Sequence, residues 1–134
     1  MPQMADITVK KNDGTTDIVY VAKQPSAGDR VSAVWRSDAN AAPYAGLKPE
    51  FKLSSRSNAD GSVRRCDFVG AYTGFATDST TTISSAIGKV TLQGTVSVSQ
   101  TLPAADINEG VSQLTNLIVS ALMRQCLKDG FAPT

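Results

Sequence analysis

The stretch DINEGVSQLTNLIVSALMRQCLKDG, residues 106–130, decides how the rest of the chain must be read. Asp106-Ile-Asn-Glu109 has the form of a capping box: Asp106 accepts from the amide three residues on, and Glu109 reaches back. Both carboxylates then sit at the positive end of the helix dipole. From there Ile107, Val111, Leu114, Leu117, Ile118, Ala121 and Leu122 recur at three and four residues, giving one broad apolar stripe. Lys128 in the last turn and Gly130 just past it supply the cation and the left-handed residue that end a helix. A helix over 107–128 spans about 33 Å at ~1.5 Å per residue, and Gly110 is where a kink would divide it. That is more than a narrow sheet needs for its own cover, so part of the stripe is expected to pass to a second chain. We expect an interlocked homodimer, with Val111, Leu114, Leu117, Ile118, Ala121 and Leu122 at its interface, each helix across the partner's sheet and the two sheets joined edge to edge.

Everything upstream reads as strands and turns. Ala5 to Lys11 and Asp17 to Lys23 alternate around Asn12-Asp13-Gly14, the signature of a hairpin turn. Arg30 to Arg36 places Val31, Ala33 and Trp35 on one side, with Trp35 as a core anchor. The stretch 37–46 is turn-rich. Leu47 to Ser55 sets Leu47, Pro49, Phe51 and Leu53 against Lys48, Glu50, Lys52 and Ser54, and Pro49 suits an edge or a bulge. An Asp-Gly turn in 56–62 leads to a return strand, Val63 to Tyr72, with Cys66 and Phe68 inward and Arg65 and Asp67 outward. Residues 73–87 are rich in Thr and Ser and read as either a long mobile loop or a partly extended one. Lys89 to Gln100 alternates Val90, Leu92, Val96 and Val98 against Thr91, Gln93, Thr95 and Ser97.

The bulk properties bound the function. The 134 residues, 41% of them hydrophobic, suit one domain spanning 1–134. A net charge of +1 gives no wholesale attraction to nucleic acid or membrane, so any such contact must come from local clusters. No histidine is present, which removes Ser-His, Cys-His and His-metal chemistry, and the acidic residues are scattered singly. Gly88-Lys89 lacks the remainder of a phosphate-binding loop. We expect no enzyme, no metal or other cofactor and no small-molecule substrate. Cys66 and Cys126, sixty positions apart, read as two buried free thiols. The opening residues lack an apolar signal core, and no stretch reaches the about 18 apolar residues of a membrane span, so cytoplasmic synthesis without a membrane partner is expected.

The ordered segments NDGTTDIVYVA, RVSAVWRSD, KLSSRSN and ALMRQCLKDG resemble the coat proteins of single-stranded RNA bacteriophages, the leviviruses. The likeness runs over nearly the whole chain, and its best local matches are DGTTDI-to-RVSAVW and the LKDG helix end. It implies an α+β fold: an N-terminal β-hairpin, a five-stranded antiparallel sheet and two C-terminal helical segments, built as the interlocked dimer described above. It further implies a capsid protein of the virion, assembled in a bacterial cytoplasm into a small icosahedral shell, T=3 by the family pattern, with residues 73–87 meeting at symmetry axes. The inner sheet face would bind a hairpin of the genomic RNA, repressing replicase translation and marking the genome for packaging.

Carried over by position, the RNA-facing set is Lys48, Glu50 and Lys52 on the first strand and Ser54, Ser55, Arg56 and Asn58 at its end and turn. Arg65 and Asp67 follow on the second strand, and Thr91, Gln93 and Thr95 on the third. Lysine and arginine would neutralise phosphates, while hydroxyls and amides would bond bases or sugars. This chain departs from the family in having no aromatic in 89–100 and in carrying Glu50, Asp67 and Val69 at expected pocket positions. Backbone binding therefore fits it better than base-specific stacking. Without the resemblance, Lys48, Lys52 and Arg65 read as a solvated strand face that resists edge aggregation. The competing functional reading is a non-assembling dimeric RNA-binding repressor of the cytoplasm.

Overall fold

A computed structural model describes residues 2–38, 42 and 44–134. The chain divides into two compact units, Met1–Ser97 and Val98–Thr134. The first is a six-stranded meander in sequence order: β1 (Ile7–Lys10), β2 (Asp17–Gln24), β3 (Ala33–Arg36), β4 (Glu50–Ser57), β5 (Val63–Thr77) and β6 (Ser84–Ser99). The second carries α1 (Ala104–Ile118) and α2 (Ala121–Asp129). This is the expected α+β order, with the N-terminal hairpin joined to the remaining strands through β2 and β3.

The turns form where the glycines stand. Gly14 and Gly61 both have φ +74°, a left-handed conformation that glycine adopts without Cβ strain. Asp13 accepts from the amides of Thr15 and Thr16, each at 2.9 Å, and these bonds with the Thr16 hydroxyl bond hold its carboxyl down at about 2. The hairpin register pairs Lys10 with Asp17, whose side chains form an ion pair at 2.6 Å. Trp35 packs against Phe51, ring centres 5.9 Å apart, and donates its indole N–H to the Ala5 carbonyl at 2.8 Å. That bond satisfies the indole while its rings are buried, and it ties β3 to the segment entering β1. Among the described residues the other buried apolar side chains are few, Ala33, Ala42 and Leu47, and the fully covered side chains are Pro49 and Ser37.

The starts of two strands differ from expectation. Arg30 has φ +69° and donates its amide to the Ser55 carbonyl at 2.7 Å, so β3 starts at Ala33 and Val31 lies exposed before it. Leu47 closes a short 3-10 turn, Ala45–Leu47, and β4 begins only after Pro49; the proline heads the strand, where no ladder donor is required, and its carbonyl accepts from Ser37. The turn expected over 37–46 lies partly outside the described residues.

Residues 73–87 take the extended alternative. β5 continues to Thr77, β6 starts at Ser84, and only a short turn capped by Asp78 joins them, with Asp78 accepting from Thr80 and Thr81. The β4 ladder on β5 runs from Ser57 opposite Arg64 to Glu50 opposite Ala71, so Tyr72–Thr77 lie past its end.

In the second unit Pro103 occupies the N-cap of α1 without a side-chain bond, which leaves Asp106 as an acidic residue inside the first turn and dissolves the capping box. It still meets the positive end of the dipole. The helix divides at Val119–Ser120, not at Gly110: Ser120 caps α2 by accepting the Met123 amide at 3.4 Å. Gly130, φ +75°, ends α2 after Lys128, as expected. Cys66 and Cys126 are both free thiols and half-buried.

Candidate nucleic-acid interface

Alternation along β4 puts Glu50, Lys52, Ser54 and Arg56 on one face of the sheet. The register sets Ser54 opposite Asp67 and Arg56 opposite Arg65, which brings the polar side of β5 alongside. Thr95 donates its hydroxyl to Asp67 Oδ1, adding β6, and Thr91 and Gln93 share its side by the two-residue period. From β3, Arg36 stands opposite Glu50.

The charges on this face sort into two groups. Glu50 accepts from Arg36 Nη2 at 3.0 Å and pairs through its other oxygen with Lys52 Nζ at 2.9 Å. Asp67 accepts from Arg56 Nε at 2.7 Å, and Arg65 adds an attractive charge nearby. Partial burial pushes the Glu50 carboxyl up, but the bonds from Lys52 and Arg36 outweigh it and leave it below the ordinary glutamate value. Asp67 is lowered by its bonds from Arg56 and then Thr95, and Arg56 is raised in turn by Asp67. Each carboxylate thus faces two cations, and each group keeps a surplus positive charge. Among the described residues Arg36 Nε and Arg65 Nε are buried without a hydrogen-bond partner.

Nine of the twelve residues expected to face RNA are brought together here: Glu50, Lys52, Ser54, Arg56, Arg65, Asp67, Thr91, Gln93 and Thr95. Lys48 precedes β4 and pairs with Asp38 at 3.1 Å, a carboxylate shared with Lys23 at 2.6 Å. Ser55 points to the opposite face, opposite Cys66, where its hydroxyl accepts from Arg64. Adjacent strand residues cannot both face one side, so grouping Ser54 with Ser55 broke the two-residue period. Asn58 staples the turn, donating to Ser62 Oγ and accepting from the Val63 amide, both at 3.0 Å. Arg36 was missed, although the same alternation that buries Trp35 sends its neighbour to the other face.

The opposite face is polar near the 58–62 turn, where Ser55 and Arg64 meet, and apolar towards the other end of β4, with Glu50 at the edge of the apolar part. Ile7, Val9, Tyr20, Phe51, Tyr72, Val90 and Leu92 line an open groove across it, and Val90 is 70% exposed. Of the residues expected at a dimer interface, Val111 is half-buried, while Leu114 (66% exposed), Leu117, Ile118, Ala121 and Leu122 lie open, as do Leu127 and Phe131. Among the described residues no three His, Cys, Asp or Glu side chains gather as a metal site, and no helix is long and apolar enough to cross a membrane.

No protein-family model and no curated protein matches the sequence. Solved structures do. The virus-like particle of Beihai levi-like virus 21 superposes with a TM-score of 0.80 at 17% identity, covering 99% of this chain and 98% of that one. The coat protein of bacteriophage EMS014 gives 0.78 at 15% identity, covering 99% and 100%. The capsid protein of bacteriophage GA gives 0.72 at 11%, covering 96% and 95%. The class defined is thus a fold, that of the RNA-phage coat proteins, present here from end to end. At these identities the likeness lies in backbone architecture, with little of the sequence shared.

Proposed function

We propose that this chain is a viral coat protein, a single coat-protein domain whose homodimers self-assemble into a small icosahedral shell, T=3 by the family pattern, around an RNA genome. The observation that carries the reading is apolar surface left open in two places: the groove across the sheet and the stripe along α1 and α2. Surface of that extent is a liability in a lone monomer and is relieved when copies cover one another. Similarity in fold to chains that form virus-like particles supports self-assembly as the way it is covered. Crossing of α1 and α2 over the partner's groove completes the dimer.

The charged face then turns to the RNA. Lys52, Arg56 and Arg65, joined by Arg36, neutralise phosphates, and Ser54, Thr91 and Gln93 supply hydroxyl and amide contacts. Binding of an RNA hairpin there serves packaging and translational repression, and the assembled location is the virion. Expression in bacteria, gel filtration with absorbance at 260 and 280 nm, and electron microscopy of the void peak test the whole proposal. Shells containing RNA are expected; a stable monomer free of RNA overturns it.

A further inference from the structure

The charged face carries carboxylates where an RNA-binding surface has most to gain from cations alone. Each one is bonded to cationic groups of the kind that also bind phosphate. Glu50 sits between Arg36 and Lys52, on two separate donors, and Asp67 sits on the Nε of Arg56 with a long second contact of 3.5 Å from Nη2. That second bond is poorly used, so the Arg56 fork is not committed in the bidentate manner that makes such pairs strong. The cations also remain reachable: the side chains of Lys52 and Arg56 are 49% and 41% exposed. Exposed pairs of this kind are weak and readily exchanged.

We propose that Glu50 and Asp67 are internal stand-ins for phosphate, and that RNA binds this face by exchange, each phosphate taking donors that a carboxylate held before. This rests on the reading of the face as the RNA surface. The two carboxylates make it a deliberately moderated binder. Every phosphate contact is offset by the loss of an internal pair, and the carboxylate left behind repels the chain that displaced it. The device favours loose, sequence-tolerant contact with a long RNA over tight retention of any one segment. Thr95 helps to keep Asp67 in place on this account, since its hydroxyl bonds the carboxylate and not the RNA.

The test compares the full-length protein with Glu50→Gln, Asp67→Asn and the double variant. An unstructured 20-nucleotide single-stranded RNA serves as the probe, read by fluorescence anisotropy across a salt series below the concentration at which particles form. Freeing two phosphate-binding cations should steepen the slope of log K against log salt by about 1.4 and tighten binding roughly twentyfold at 0.1 M salt. Equal or weaker binding by the double variant, with melting temperatures showing it folded, overturns the inference while leaving the RNA face standing. Should Glu50→Gln fail to fold, Asp67→Asn alone is expected to give about half the slope change, and no change in it is likewise fatal. A Lys52→Ala, Arg56→Ala variant with undiminished affinity removes the RNA face itself, and the inference with it.

Discussion

On one side of the sheet Glu50 and Asp67 are matched to arginine and lysine within the same chain; on the other, Val90, Leu92 and Tyr72 stand open although apolar. The charged side is satisfied by a single polypeptide and available to a polar polymer. The apolar side is not, and every copy of the chain carries the same deficit. On the function proposed above, the first surface exchanges weak contacts with RNA and the second is covered by another copy of the chain.

The sharpest way to break that contrast is to make the open surfaces charged. Leu117→Asp should abolish dimers and particles, because an unpaired carboxylate held in an apolar interface costs several kcal/mol; light scattering and electron microscopy read the outcome, and intact particles would remove the stripe from the interface. Next in size is Gly94→Ala. A Cβ there would lie 2.7 Å from Cζ of Phe68, on the apolar side where β5 and β6 run together. Overpacking of this kind costs about 1–3 kcal/mol. A lowered melting temperature is expected, with partial recovery when Phe68→Leu is added.

On the charged side the effects should be smaller. Arg56→Ala should weaken binding of single-stranded RNA about fivefold at 0.1 M salt and reduce the salt slope by about 0.7, with particle formation retained. The smallest effect is that of acid. Glu50 is held below its ordinary value of 4.5, so its contribution to stability is complete above that pH and is lost as pH falls through the depressed folded value. Denaturant titrations in that range should show stability falling more steeply for the natural chain than for Glu50→Gln.

The sequence made the hairpins legible because their turns are chemical: Asp13-Gly14 and Asp60-Gly61 need left-handed glycine, and Gly130 ends α2 for the same reason. The polar set was legible because period-two alternation survives in β4 and β6. What escaped was whatever alternation does not report. Alternation left 73–87 open between loop and strand, because residues 73–77 and 84–87 lie past the β4 ladder, where no neighbouring core imposes an apolar pattern on them. The helix break was hidden because the apolar spacing runs on through Ile118, Val119 and Leu122, while the decisive feature is one serine hydroxyl. Asp106 failed as a cap because the proline before the two alanines already starts the helix. Pairing of Glu50 with Arg36 joins residues fourteen apart, which only the strand register brings together.

Past Ala71, β5 and β6 continue as a cantilever of two strands beyond the end of the β4 ladder. A beam that narrow bends and twists far more easily than a broad slab, while its own rungs stay intact. In the shell proposed above, chemically identical subunits would aim this arm along different directions to suit unequal surroundings, with the anchoring Trp35 end of each left undisturbed.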